Sequence, residues 1–464
     1  MTKPPALLLV ALLTGCAHLS DWRTPDYQRP AAPVPQDWPQ TPANGRAAHG
    51  PTLAEMFPDA RLKALIETAL ANNRDLRIAV GRVAEARALL NVASADRLPT
   101  VNAGAAASAA RVPADLSGSG AARIARRDDV SIGVTAFELD FWGRVKALDD
   151  AARAQYLASE AARDAFRLSL ISDVANAYYT ILELEARTQL ARATLDNRRD
   201  FLELARTRRD VGLAGDLDVR LAEAAFEQTR VALADLARSR LQAGNALDLL
   251  TGEAHVDLPP GKPLAEQNLA ADLPVSVPSD VLLNRPDVRA AEERLIAAHA
   301  NVAAARAAFM PRITLSLAAG TASSALSGLF GAGSGVWSFV PQLVQPLFDA
   351  GRTEANVDLA EARKVIAVAD YEKTIQQAFR EVADLLAARD KLAEALAAQE
   401  ALTDAQRQRL ALVEARYHAG VANALEWLDA QRDVFAAEQA SVATRRALAG
   451  TAAQLYKALG GGAT

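Results

Sequence analysis

Glu426 and Asp429 stand three residues apart just beyond Gly420, a spacing that puts both carboxylates on one face of a helix. If that helix is repeated around an axis, each position contributes a ring of acids that selects or binds cations. On a solitary helix the same residues are acids favoured by the N-terminal dipole. Cys16 is the only cysteine, so an intrachain disulfide is impossible. His18, His49, His255, His299 and His418 form no cluster with ligand spacing. No P-loop, G-x-S-x-G, H-E-x-x-H or paired-cysteine motif occurs. The chain is therefore expected to be no enzyme, with no catalytic residue, no bound metal and no cofactor beyond a covalent lipid on Cys16.

That lipid is expected from the chain's start. Ala6 to Leu13 is an uninterrupted apolar run after Lys3. It is too short to span a bilayer as a helix and suits the core of a signal peptide. It ends in Leu13-Thr14-Gly15-Cys16, which looks like a bacterial lipobox. On that reading residues 1–15 are a lipoprotein signal peptide and Cys16 is acylated as the first mature residue. Ala17 follows. The aspartate that holds bacterial lipoproteins at the inner membrane is absent from that position. Residues 16–52 are expected to be a lipidated, extended tether, because Pro25, Pro30, Pro33, Pro35, Pro39, Pro42 and Pro51 oppose a packed element.

The rest of the chain is internally duplicated. Arg74-Asp75-Leu76-Arg77 is answered by Pro286-Asp287-Val288-Arg289, and Leu98-Pro99-Thr100-Val101 by Met310-Pro311-Arg312-Ile313. Gly143-Arg144 is answered by Gly351-Arg352, and Val211-Gly212-Leu213-Ala214 by Ala419-Gly420-Val421-Ala422. The four anchors recur in order at a period of roughly 210 residues, which is a half-structure rather than a solenoid module. The first repeat is expected over 53–258, a linker over 259–279, and the second repeat over 280–464. Each reads as helix, two strands, long helix and return helix. First helices are expected over Leu62–Arg97 and Asp280–Phe309, where Pro286 suits a first helical turn. Strands are expected over Thr100–Val112, Asp129–Asp140, Ile313–Ser323 and Val336–Phe348, joined by loops Pro113–Arg127 and Ser324–Gly335. Arg144–Val211 and Arg352–Ala419 contain neither proline nor glycine and read as helices about 100 Å long. Gly212 and Gly420 permit the turns into return helices over Leu217–Leu250 and Leu425–Leu459. Gly143 and Gly351, with Arg144 and Arg352, mark sharp strand-to-helix turns.

Composition agrees with long helices. Half of the 464 residues are hydrophobic but only 5% are aromatic, so alanine and leucine carry the apolar share. The net charge of -5, without a basic run interleaved with aromatics, excludes a nucleic-acid partner. The strands have the length of membrane-crossing β-strands. Four strands cannot close, and an open edge is not tolerated in lipid. Three chains would supply twelve strands, an even number in the barrel range. Phe141, Trp142, Trp337 and Phe339 suit interfacial aromatic girdles. The other reading is an antiparallel sheet of a soluble protein, with these aromatics in its core.

Several motifs resemble the outer-membrane efflux proteins, the TolC-like family, and its lipoprotein branch serving tripartite RND drug pumps. They are LTGC at 13–16, FELDFWGR at 137–144, LNRPDVRAAE at 283–292, PLFDAGR at 346–352 and YHAGVANALEWLDAQRD at 417–433. The resemblance implies an α+β membrane protein. Three chains form a 12-stranded outer-membrane β-barrel, four strands from each, continued by a long periplasmic α-helical barrel. It implies passive conduction of drugs or other small molecules, and partners: two further copies, a periplasmic adaptor, an inner-membrane RND-type pump and outer-membrane lipid. It places Glu426 and Asp429 at the periplasmic aperture, with Ala422 where the family carries a basic residue. A type I protein-secretion duct is the alternative within the family, and a non-channel structural lipoprotein lies outside it. The expected location is the outer membrane, lipid-anchored, with a long periplasmic extension.

Overall fold

The computed structural model describes residues 24–35, 38, 52–254, 258–267 and 279–461. The expected signal peptide and lipobox, with Cys16, lie outside the described residues. The main elements are α1 (Ala60–Asn72), α2 (Arg74–Ala95), β1 (Val101–Val112), β2 (Arg123–Glu138), α3 (Arg144–Asp210) and α4 (Asp216–Thr251), then α5 (Pro286–Ala307), β3 (Arg312–Ser323), β4 (Gly335–Val344), α6 (Arg352–His418) and α7 (Ala424–Ala458). The α3 and α6 helices each run 67 residues without a break. No helix among the described residues is long and apolar enough to cross a membrane.

The first helix differs from the single span Leu62–Arg97. Asn73 leaves helical geometry, with φ -58° and ψ 129°, and splits it into α1 and α2. Its side chain rewards the break. Oδ1 accepts from the Leu76 amide at 2.8 Å, and Nδ2 donates to the Leu250 carbonyl at 2.9 Å. An asparagine that bonds the backbone locally competes with the helix ladder in this way. In the second half, Ser279–Asn284 is a 3-10 segment and the α-helix begins at Pro286.

Two packed units take segments from both halves of the sequence. One holds Arg82–Glu160, Ala290–Glu372 and the described residues up to Ala31. It contains the sheet, ordered β1-β2-β3-β4 and antiparallel throughout. The strand β2 begins at Arg123, well before Asp129, because it pairs with β1 as far as Val112 opposite Arg123. The strand β4 stops at Val344, short of Phe348, leaving Gln345 and Pro346 in the turn to α6. Pro341 lies inside β4, the last strand of this chain's own sheet, opposite Leu315.

The proline-rich N-terminal segment forms neither helix nor strand over 24–30, yet it is packed, contrary to the expectation of an unpacked tether. Arg29 grips Glu292 on α5 with two hydrogen bonds, at 2.5 and 2.8 Å. The Tyr27 ring meets His299 edge-on, and a His299 ring nitrogen lies 2.9 Å from the Pro25 carbonyl.

The second unit, within Ala32–Gly81, Ala161–Arg289 and Lys373–Thr464, is helical. One core packs Phe57, Leu62, Leu65 and Ile66 against Val174, Tyr178 and Tyr179 of α3 and Ala453 and Tyr456 of α7. Asp59 is buried in its wall and accepts from the Tyr178 hydroxyl at 2.9 Å. Burial pushes the Asp59 carboxyl up. Hydrogen bonds from Gln267, the Lys262 amide and Tyr178 outweigh this and hold it below the ordinary carboxylate range. Trp38 stacks on Phe379 of α6 at 4.4 Å between ring centroids. A second core lies beside the helix turns, with Phe201, Tyr417 and Trp427 in mutual ring contact.

Candidate channel wall and helix-turn sites

The sheet has two unlike faces. Register places Val101, Val134, Leu317 and Phe339 in one row, and Ala103, Ile132, Ala319 and Trp337 in the next. Val130, Leu315, Ile313 and Leu343 continue the same face. The opposite face carries Asn102, Gly104, Ser131, Gly133, Ser316, Ala318, Gly320, Ser338 and Gln342, with Val336, Val340 and Val344 on the edge strand. An apolar face backed by a small and polar one is the pattern of a membrane strand between lipid and a wet lumen. Trp337 is 81% exposed on the apolar face. The outer edges of β1 and β4 pair with no strand among the described residues.

Both strand-to-helix turns place glycine where the chain must turn left-handed. Gly143 has φ 74° and Gly351 φ 81°. Asp140 then accepts from the Val145 and Lys146 amides, and Asp349 from the Gly351 and Thr353 amides. These aspartates satisfy the orphan donors of α3 and α6. Hydrogen bonds from Thr353, Gly351 and Arg352 hold the Asp349 carboxyl below its ordinary range. The two arginines differ. Arg144 binds Glu138 through two hydrogen bonds of 2.8 Å, and Arg312 reaches the same carboxylate at 2.7 Å. Arg352 opens α6 and makes no ion pair among the described residues. Close by, β2 bulges between Val134 and Phe137, and Ala136 takes φ 52°. Its amide donates to Ser316 Oγ at 2.9 Å. Trp142 donates to the Pro311 carbonyl at 2.8 Å.

Gly212 (φ 75°) and Gly420 (φ 77°) end the long helices. The Leu213 amide reaches back to the Arg208 carbonyl at 2.7 Å, and Val421 to Arg416 at 2.9 Å. Such six-to-one bonds close a helix through a left-handed residue, usually glycine. No atom lies within 4 Å of a Cβ built on Gly420, so only backbone strain opposes a side chain there. Gly420→Ala is expected to cost about 1–2 kcal/mol. Gly420→Asn should cost less, since asparagine tolerates this conformation. Thermal unfolding followed by circular dichroism checks the order; equal melting of the alanine variant and the parent would contradict it.

Beyond this turn, Asn423 caps α7 by accepting from the Glu426 amide at 2.8 Å. Glu426 lies 3.7 Å from Arg416 on the preceding helix, and Asp429 pairs with Arg432 at 2.9 Å. Sequence reasoning put the two acids on one face but missed both arginines. The i,i+3 spacing of Asp429 and Arg432 would have revealed the second. Arg416 becomes a neighbour only once the chain folds back at Gly420. Also missed was Arg285, which is buried and binds Asp287, Glu381 and the Ala458 carbonyl. Among the described residues no group of three or more His, Cys, Asp or Glu is arranged to hold a metal.

Comparison with known proteins follows the same lines. The profile of the outer membrane efflux protein family matches residues 65–253 and 277–461. The solvent efflux pump outer membrane protein SrpC of Pseudomonas putida is 43% identical, over 99% of this chain and 98% of its own. The antibiotic efflux pump outer membrane protein ArpC, also of Pseudomonas putida, is 41% identical, over 100% and 96%. The crystal structure of the open state of the Neisseria gonorrhoeae MtrE outer membrane channel superposes with a TM-score of 0.85 at 39% identity, covering 95% of this chain and 98% of that one. An open four-stranded sheet and long helices in each protomer match the trimeric barrel fold of such channels. The chain belongs to the outer membrane efflux protein family and is the outer-membrane channel component of an RND-type tripartite efflux system, not an enzyme.

Proposed function

We propose that this channel carries small organic molecules, solvents and antibiotics among them, from an inner-membrane pump to the exterior, and that it belongs to the lipoprotein branch of its family. The observation that carries the channel reading is the four-stranded sheet with two unpaired edges and one continuous apolar face. Pairing β4 of one copy with β1 of the next closes twelve strands and leaves no edge in lipid. The substrate class rests on relatives named for solvent and antibiotic efflux. The helix turns offer a docking surface for the periplasmic adaptor, since Val211, Leu213, Leu217, Val421 and Leu425 are all exposed there. Glu426 and Asp429 line the periplasmic aperture in this reading, while Gly212 and Gly420 shape its helix turns. Gly143, Arg144, Gly351 and Arg352 turn the chain from barrel to helix. Residues 53–258 and 280–464 are two copies of one plan joined by 259–279.

The test is conductance of the purified trimer in planar bilayers, together with solvent and antibiotic tolerance of cells from which the chain is deleted. A trimer that inserts without conducting, or unchanged tolerance, would refute the proposal. Lipidation has its own test. The mature N-terminus is expected to begin at Cys16 and to carry acyl chains, and Cys16→Ser should lose them while still assembling, because the barrel anchors itself. Mass spectrometry that finds an unmodified Cys16 in the native protein overturns the anchor and leaves the channel intact.

A further inference from the structure

The apolar face of the sheet changes character beyond Val130. On that face β2 continues with Asp128, Arg126 and Ile124, and β1 with Ala107, Ala109 and Arg111. Arg126 stands opposite Ala109 and Arg111 opposite Ile124, so the two arginines are diagonal neighbours, about 7–8 Å apart. Both are exposed, and among the described residues neither forms an ion pair. The acids nearby do not neutralise them. Asp129 is held by Arg127 on the opposite face at 3.3 Å. Asp128 shares the face one pleat nearer the apolar rows and is bonded to neither arginine.

Their level on the sheet is informative. From the row of Ile313 and Leu343 to the row of Val130 and Thr321 the face is apolar or uncharged. That stretch spans roughly 26 Å along the strand, or about 20 Å of height at barrel tilt. Arg126 follows about 10 Å higher, where hydrocarbon gives way to headgroups. Both arginines sit at the end of the hairpin opposite the connections to α2 and α3. A guanidinium at a lipid boundary is stabilised by an anionic partner, and its planar fork matches phosphate oxygens.

We propose that Arg111 and Arg126 together bind the phosphate groups of a multiply acylated, phosphorylated glycolipid in the outer leaflet. The proposal rests on the membrane-channel reading, which sets this end of the sheet at the outer surface. Ile124, 65% exposed, lies opposite Arg111 and one pleat beyond Arg126, on the side away from the apolar rows.

The test is titration of the purified trimer with hexa-acylated, bisphosphorylated lipid A, followed by native mass spectrometry. Arg111→Gln/Arg126→Gln is expected to weaken binding roughly ten- to thirty-fold. Dephosphorylated lipid A should bind parent and variant alike. The opposite-face variant Arg123→Gln/Arg127→Gln should bind the bisphosphorylated lipid as the parent does. Equal binding by Arg111→Gln/Arg126→Gln and the parent, or an equal loss in the opposite-face variant, overturns the site. Planar-bilayer conductance of the same preparations separates the two readings. A conducting trimer with no phosphate dependence refutes the lipid site alone, whereas a trimer that never conducts refutes the channel and the site together.

Discussion

Arg285→Ala is expected to destabilise the helical unit by about 2–3 kcal/mol, because it removes the hydrogen bonds of a buried guanidinium and leaves the Ala458 carbonyl and two partly exposed carboxylates, Asp287 and Glu381, without it. The guanidinium side chain is 5% exposed. It binds both oxygens of Asp287 at 3.0 and 2.8 Å, Glu381 at 2.8 Å and the Ala458 carbonyl at 2.8 Å. One side chain thus ties the start of α5 to α6 and to the last turn of α7. Burial alone would push the Asp287 carboxyl up, but the hydrogen bonds and charge of Arg285 overcome this and hold it below its ordinary value. A carboxyl depressed on folding contributes stability that is complete above its unfolded pKa, near 4, and is lost as pH falls through the lower folded value. The gap between parent and variant should therefore narrow below about pH 4. Arg285→Lys keeps the charge but not the fork and should fall between them. Helical ellipticity followed on heating at pH 7 and again at pH 3 measures both effects. Melting of Arg285→Ala within a degree of the parent at pH 7 would remove Arg285 from this role.

The same residue shows what the sequence makes legible. Arg285 lies in the motif LNRPDV, which points to a family, but no local pattern says that its partners come from α6 and α7. The long helices were readable because they contain no proline or glycine and stop one residue before Val211 and Ala419, beside glycines with left-handed backbone. The start of β2 was hidden, because the stretch Arg123 to Asp129 is dominated by charges and only pairing with β1 makes it a strand. Asn73 looked like one more helical residue until its side chain found Leu250 across the sequence. The N-terminal segment has the proline content of a tether. Its packing depends on Arg29 meeting Glu292, a contact more than 250 residues distant. Periodicity and punctuation are local and survive in the sequence, whereas side-chain partnerships across helices appear only with the fold.

The aperture reading is where a missed partnership alters the expected physics. Threefold repetition of Glu426 and Asp429 would gather six carboxylates about one axis, and like charges so close repel. Ala422 carries no charge to offset them, and local spacing in the sequence reveals only Arg432, three residues after Asp429. The structure supplies two counter-charges: Arg416 faces Glu426 across the turn, and Arg432 faces Asp429 along α7. These pairs are largely exposed, so each is worth at most about 1 kcal/mol, and removing the acids should leave the fold intact. The larger effect is on permeating ions. Glu426→Ala/Asp429→Ala is expected to lower cation preference several-fold and to weaken block by multivalent cations, because a carboxylate ring at a constriction concentrates cations. Arg416→Gln should act in the opposite sense by baring Glu426, so the two variants bracket the parent. Reversal potentials of trimeric channels under a salt gradient in planar bilayers give the order directly, with added trivalent cation testing block. Unchanged selectivity and unchanged block in the double variant would take both acids out of the pore lining. A shift of Arg416→Gln in the same direction as the double variant would show that Arg416 does not screen Glu426.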